Sequence, residues 1–280
     1  MILAHSIVTA PSAHPTRTAL VLHGILGSAR NWLSFMKKLA ERTPDWRFVL
    51  VDLRHHGDSH GLPGPDTLAA CAADLVELCE SLGLAPDAVI GHSFGGKVAL
   101  VYARDHGAGL SQCWVLDSVP GAVASVSDEP GTVHEMAGIL DDLRGVALPI
   151  ASRPALVAHL RALGHGEMFT GWMTTNLRSV DGGFTWRFAL PGIESLLDSY
   201  FEADLWPFVQ APPEGLTVHL VRGARSDRWP AAALARAEAA AASGRLVLHT
   251  LPDAGHWLHV DNPGALTDLL ARGLAEHLEV

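Results

Sequence analysis

Apolar and polar positions follow two rhythms along this chain. Ala19–Leu22, Phe48–Val51, Ala88–Ile90, Cys113–Leu116, Thr217–Val221 and Leu246–Thr250 are short, continuous apolar runs ending in turn or polar residues. They predict buried strands, and Ile2–Val8 is a candidate edge strand. Between them apolar residues recur at helical spacing. Leu68, Cys71, Ala72, Leu75, Leu78, Cys79 and Leu82 share one face ahead of a stop at Gly83. Gly95–Asp105 and the Ala-rich Ala231–Ala242 also read as helices. Ala265–Leu278 places Leu266, Leu269, Leu270, Leu274 and Leu278 on one face. Alternation of this kind predicts an α/β fold, with a mostly parallel sheet covered by helices on both sides.

The rhythm breaks in the middle. From Gly121 to Val209 no strand pattern stands out, and Gly, Pro, Met and Trp are scattered among short helical pieces. Leu156, Leu160 and Leu163 suggest one helix; Ile193, Leu196, Leu197 and Phe201 suggest another. The expected organisation is a core domain of residues 1–120 and 210–280, with 121–209 inserted as a helical cap. Pro120 and Ala211-Pro212-Pro213 mark the edges.

Composition narrows the partners. Twenty basic against 30 acidic residues leave a net charge of −10 over 280 residues. Such a chain gains no counterion-release energy from phosphate backbones, so nucleic acid is not an expected partner; an anionic membrane surface is disfavoured for the same reason. Cys71, Cys79 and Cys113 form no CxxC pair and read as buried thiols of a reducing compartment. The first residues lack the basic region and full apolar core of a signal peptide, and no apolar run spans a bilayer. The expectation is a cytoplasmic protein, monomeric or homodimeric.

The candidate chemistry lies at strand ends. Gly91-His92-Ser93-Phe94-Gly95 follows one predicted strand and precedes a helix, which is the G-x-S-x-G pattern in its strand–turn–helix context. A nucleophile there sits on a sharp turn, with a helix N-terminus behind it that favours developing negative charge. Leu22-His23-Gly24-Ile25 closes an earlier strand. The backbone N–H groups of Ile25 and Phe94 are the candidate oxyanion donors, because a tetrahedral intermediate puts charge on oxygen. Serine is a weak nucleophile and needs a base. Among 16 histidines, His256 stands out by following the last strand, while His259 reads as a helix-entry or packing residue. Asp227, after the strand Thr217–Val221, is the preferred acid on strand position, and Asp117, ending Cys113–Leu116, is the alternative. His55, His56, His60 and Asp58 match no zinc spacing and read as a hydrogen-bonded loop. Phe169, Trp172, Met173 and Trp186, with His23, Leu26, Trp32 and Trp257, are candidates for an apolar acyl pocket; packing of the insertion is the competing explanation for its aromatics.

Together, His23-Gly24, Asp52-Leu53-Arg54-x-His56-Gly57-x-Ser59, Gly91-His92-Ser93-Phe94-Gly95-Gly96-Lys97, Arg222-Gly223-x-x-Ser226-Asp227 and Gly255-His256 resemble the α/β-hydrolase superfamily. The narrower likeness is to small carboxylesterases and acyl thioesterases related to abhydrolase-domain proteins. The resemblance implies an eight-stranded, mostly parallel sheet with a helical cap after the sixth strand. It implies Ser93, Asp227 and His256 as a triad, with no metal or organic cofactor. The expected activity is hydrolysis of small acyl esters or thioesters through an acyl-enzyme. A carbon–carbon bond hydrolase, lactonase or cofactor-free haloperoxidase on the same scaffold is the first alternative, and a non-catalytic ligand-binding receptor the second.

Overall fold

Strands and helices alternate through most of the computed structural model, which describes residues 2–123 and 131–275. The first half contains β1 (His5–Val8), β2 (Arg17–Leu22), α1 (Arg30–Arg42), β3 (Trp46–Val51), α2 (Leu68–Leu82), β4 (Ala88–His92), α3 (Phe94–His106) and β5 (Gln112–Leu116). Then come α4 (Gly131–Arg144), α5 (Arg153–Ala162), α6 (Glu167–Thr175), β6 (Leu177–Val180), β7 (Gly183–Trp186), α7 (Leu190–Glu202) and α8 (Trp206–Gln210). The chain returns through β8 (Thr217–Gly223), α9 (Ala231–Ala242), β9 (Val247–Leu251), α10 (Leu258–Asp261) and α11 (Pro263–Ala275). Leu278, expected in the last helix, lies outside the described residues.

The main sheet runs β1-β3-β2-β4-β5-β8-β9, with β1 antiparallel to β3 and the remaining neighbours parallel. Among the described residues it has seven strands, not the eight expected. Pro11 and Pro15 lack the N–H that a ladder needs, so the segment between β1 and β2 turns, with Ala13 N–H on the Ala10 carbonyl, and adds no strand. The helix-rich stretch therefore follows the fifth strand, not the sixth. β9 is an edge strand with Val247 exposed, rather than the fully buried run expected.

The period of two in the strands sorts side chains into two layers. Leu20, Leu22, Val49, Val51, Cys113 and Val115 face one cluster, packed by α2 and α3. Ala19, Val21, Phe48, Leu50, Trp114 and Leu116 face the other, packed by α1 and α11. Local signals set the helix ends. Thr67 Oγ1 accepts the Ala70 N–H at the start of α2, and Gly83, at φ 63°, closes it.

The stretch between β5 and β8 differs from the all-helical expectation. β6 and β7 pair antiparallel across Asp181-Gly182, a two-residue hairpin signal, and Ile150 bridges to Phe184. Leu143, Leu156 and Leu196 of this stretch belong to the same buried cluster as Leu20 and Val49. The stretch between β5 and β8 thus shares an apolar core with the sheet.

Candidate active site

The parallel strands deliver His23, Asp52, Ser93 and Asp117 to one edge of the sheet. Between β4 and α3, Ser93 takes φ 53° and ψ −118°, outside the ordinary regions for a residue with a side chain. Its neighbours must be small. A Cβ on Gly91 would lie 2.0 Å from the Gly95 carbonyl oxygen, and one on Gly95 would lie 2.5 Å from that of His23. The Ser93 N–H donates to Leu116 O at 2.9 Å, which ties the turn to the end of β5. Phe94 opens α3, so its N–H has no partner within the helix.

The carboxylate that meets His256 is Asp117, the alternative candidate, and not Asp227. His256 Nδ1 donates to Asp117 Oδ2 at 2.8 Å, while Asp227 is 80% exposed and pairs with Arg228 Nε at 3.2 Å. The Asp117 side chain is fully buried. Its Oδ1 accepts the Gly223 N–H at 3.0 Å and the Trp229 indole N–H at 3.2 Å, and its Oδ2 accepts the Ser226 hydroxyl at 2.5 Å. These donors stand in for the water the carboxylate has lost. In the loop after β8, Ser226 bonds to Asp117 and its neighbour Asp227 is left in solvent. The proton on His256 Nδ1 leaves Nε2 free to accept one.

The loop carrying His256 is fixed from two sides. His92 Nε2 donates to the His256 carbonyl at 2.8 Å, and Asp261 Oδ2 accepts the Gly255 N–H at 2.8 Å. Burial pushes His92 well below the usual imidazole range, and the neighbouring His256 and His259 add to that. His259 is buried and lowered to about 4, by burial first and then by His256. Its ring stacks on Trp32 at 4.0 Å.

A similar scaffold holds the loop of Ile25. Leu26 N–H donates to His56 Nε2 at 3.0 Å, and His56 Nδ1 donates to Arg54 O at 2.8 Å. Leu53 N–H donates to His23 Nε2 at 3.0 Å, and His23 Nδ1 donates to Gly24 O at 2.7 Å. Both rings are therefore neutral, and burial lowers both. Asp52 accepts N–H groups from Ala29 and Asp58, and Ser28 N–H is capped by Asn31 Oδ1. His55 Nε2 lies 2.6 Å from Asp66 Oδ1. Among the described residues, no group of three His, Cys, Asp or Glu is arranged to hold a metal ion.

Ser93, His256 and Asp117 border one cavity of about 280 Å³, together with Gly24, Ile25, Leu26 and Phe94. Of the expected pocket residues, Leu26, Phe169, Trp172 and Trp257 line it. His23, Trp32, Met173 and Trp186 do not: they are buried by packing, His23 in its loop, Trp32 on His259, Met173 in the core and Trp186 on Phe188. Met136, Ile139, Leu197, Tyr200 and Phe201 line the cavity and are not among the expected pocket residues. Helical periodicity around Leu197 and Phe201 marked an amphipathic helix, but not which surface its apolar face meets.

In the sequence Lys97 is the last position of the Gly91-to-Lys97 motif. Its buried ammonium donates to the carbonyls of Gly121, Tyr200 and Ala203 at 2.7, 2.7 and 3.0 Å, and burial lowers it to about 7. One side chain of α3 thereby ties the chain just after β5 to the C-terminal end of α7.

Comparison with known proteins agrees with this fold. The model of the alpha/beta hydrolase family matches residues 19–269. The chain is 29% identical over 259 residues to the sn-1-specific diacylglycerol lipase ABHD11 of Mus musculus, covering 91% of this chain and 80% of that protein. A marine microorganism esterase superimposes with a TM-score of 0.79 at 24% identity, covering 99% of both chains. The thioesterase domain from the curacin biosynthetic pathway superimposes with a TM-score of 0.67 at 21% identity, covering 96% of this chain and 94% of that one. At these identities the two structures bear on the fold alone.

Proposed function

The chain belongs to the alpha/beta hydrolase family, and from that premise we propose that it is a serine hydrolase of carboxylic esters or thioesters, with Ser93 as nucleophile, His256 as base and Asp117 as the acid partner. The observation that carries this reading is the 2.8 Å hydrogen bond from His256 to the buried carboxylate of Asp117, at a cavity that Ser93 also borders. The mouse relative, named a diacylglycerol lipase, supports an ester substrate, and the apolar lining suits an acyl chain.

In the first step Ser93 Oγ attacks the acyl carbon while His256 Nε2 takes the hydroxyl proton. The negative charge on the carbonyl oxygen is held by the Ile25 and Phe94 N–H groups. Asp117 keeps the imidazole in the tautomer that can accept the proton and stabilises the imidazolium. His256 then protonates the leaving alcohol or thiol as its bond to carbon breaks, leaving Ser93 acylated. Water, deprotonated by the same ring, attacks the acyl-enzyme and releases the acid.

The test combines turnover and labelling. Wild-type protein should hydrolyse p-nitrophenyl acetate and butyrate and react with a fluorophosphonate probe, and Ser93→Ala should do neither while keeping its melting temperature. Wild-type rates in Ser93→Ala would falsify the assignment. A wild-type protein that binds acyl ligands without turnover or labelling would point to a receptor.

A further inference from the structure

The insertion reaches the oxyanion-binding loop directly, through one side chain. Asn176 follows α6, its N–H bonded to Met173 O at 3.1 Å and its carbonyl accepting the Arg187 N–H at 2.7 Å. Its side chain is 1% exposed, and Nδ2 donates to the carbonyl of Leu26 at 2.7 Å. No protein partner meets Asn176 Oδ1, which is also buried. A buried amide with one end unpaired is costly, so packing alone does not account for its choice.

Leu26 is itself unusual. It follows Ile25 and takes φ 58°, a left-handed conformation that costs a residue with a branched side chain. Such a residue keeps that shape only when its surroundings determine it from more than one side. Here His56, from the loop after β3, holds the Leu26 N–H at 3.0 Å, and Asn176, from the insertion, holds the Leu26 carbonyl. The two bonds fix the peptide planes on either side of Leu26. The peptide carrying the Ile25 N–H lies one residue earlier.

We propose that Asn176 is a positioning residue for the oxyanion hole: by holding the Leu26 carbonyl it fixes the direction of the Ile25 N–H, so the insertion contributes to stabilising the transition state as well as walling the cavity. The inference rests on the serine-hydrolase reading above. An oxyanion donor acts through its alignment, and misplacement on the order of 1 Å costs about 100-fold in rate. Loss of the Asn176 bond therefore acts on turnover more than on binding of the planar ground state.

The experiment uses Asn176→Leu in the full chain. Leucine nearly matches asparagine in shape and removes the unpaired Oδ1 along with the Nδ2 donor. Turnover of p-nitrophenyl butyrate, the Ki of an alkylboronic acid and the Ki of butyrate are measured. The boronic acid forms a tetrahedral adduct on Ser93, whereas butyrate is the planar product. The expected result is a roughly 10- to 100-fold loss of kcat, a matching rise in the boronic acid Ki, and KM, butyrate Ki and melting temperature close to wild type. Asn176→Ala serves the same measurements if the leucine form does not fold. Wild-type kcat and boronic acid Ki in a folded variant overturn the inference and leave the hydrolase reading intact, as does a change confined to KM. A wild-type protein that neither turns over ester nor takes the fluorophosphonate label overturns both.

Discussion

Asp117 and Asp227 show how much one residue's facing can decide. Both follow Ser93 in the chain, both precede His256 and both lie past the ends of strands, Asp117 directly after β5 and Asp227 in the loop after β8, so order alone leaves two candidates. The choice is made in space, where Gly223, Ser226 and Trp229 aim donors at Asp117 and solvent surrounds Asp227. Asp117→Asn puts an amide where donors already converge and removes the acceptor that sets the His256 tautomer. It should lower kcat by about 10⁴-fold, as loss of the equivalent carboxylate does in serine proteases, whereas Asp227→Asn should stay within about twofold of wild type, as expected of an exposed side chain. Steady-state kinetics on p-nitrophenyl butyrate separates the two, and a large loss in Asp227→Asn would return the acid role to it. By contrast, the turn that carries Ser93 was legible in the chain itself. Flanking glycines between a strand and a helix are a local requirement, and the clashes at Gly91 and Gly95 give that requirement a distance.

At the scale of elements, continuous apolar runs were readable and mixed ones were not. The core strands β2 to β5 and β8 fall on continuous Val, Ile and Leu runs because both their faces are buried. Helix α1 buries Trp32, Phe35, Met36, Leu39 and Ala40 at helical spacing, a period that is present in the chain although it is not among the expected helices. The hairpin β6–β7 has four residues per strand, several of them exposed, so its period of two is weak and only Asp181-Gly182 marks it. Trp32 and Phe169 make the consequence measurable. Trp32 is 2% exposed beneath His259, so Trp32→Ala should destabilise the fold by about 3–5 kcal/mol without altering acyl-chain preference. Phe169 faces the cavity, so Phe169→Ala should shift the preferred p-nitrophenyl ester toward longer acyl chains. Denaturant titration and a chain-length series check the pair, and identical chain-length profiles for Phe169→Ala and wild type would remove Phe169 from the acyl pocket.

Over the whole molecule, charge and buried histidines set the response to partners and to pH. Glu135 and Asp227 border the cavity with Arg228, which pairs with both, and the chain carries a net −10. A polyanionic leaving group is therefore repelled at the mouth. Butyryl-CoA should show a lower kcat/KM than the neutral N-acetylcysteamine thioester of the same acyl group, with the gap narrowing at high salt; equal values in low salt would contradict this. His23, His56, His92 and His259 are all held below the ordinary imidazole value by burial. The unfolded chain binds protons at these groups first as pH falls, so stability is intact above about 6.5 and is lost on acidification. For His259, lowered to about 4, the loss is on the order of 3 kcal/mol by pH 4. Melting temperature should drop between pH 7 and pH 5, and a flat profile would show that these rings are not held neutral in the fold.

What the chain determined by itself was whatever depends on neighbours in sequence: the alternation of buried strands with amphipathic helices, the glycine-flanked turn at Ser93, and the position of His256 after the last strand. Tertiary structure alone decided the carboxylate that His256 meets, the aromatics that face the cavity, and the reach of Asn176 to Leu26 across 150 positions. The physical reason is the range of the forces involved. Steric limits and hydrophobic period act over a few residues and leave a trace in the sequence. A hydrogen bond between distant loops depends on how the sheet brings its strand ends together, and no local pattern encodes that distance.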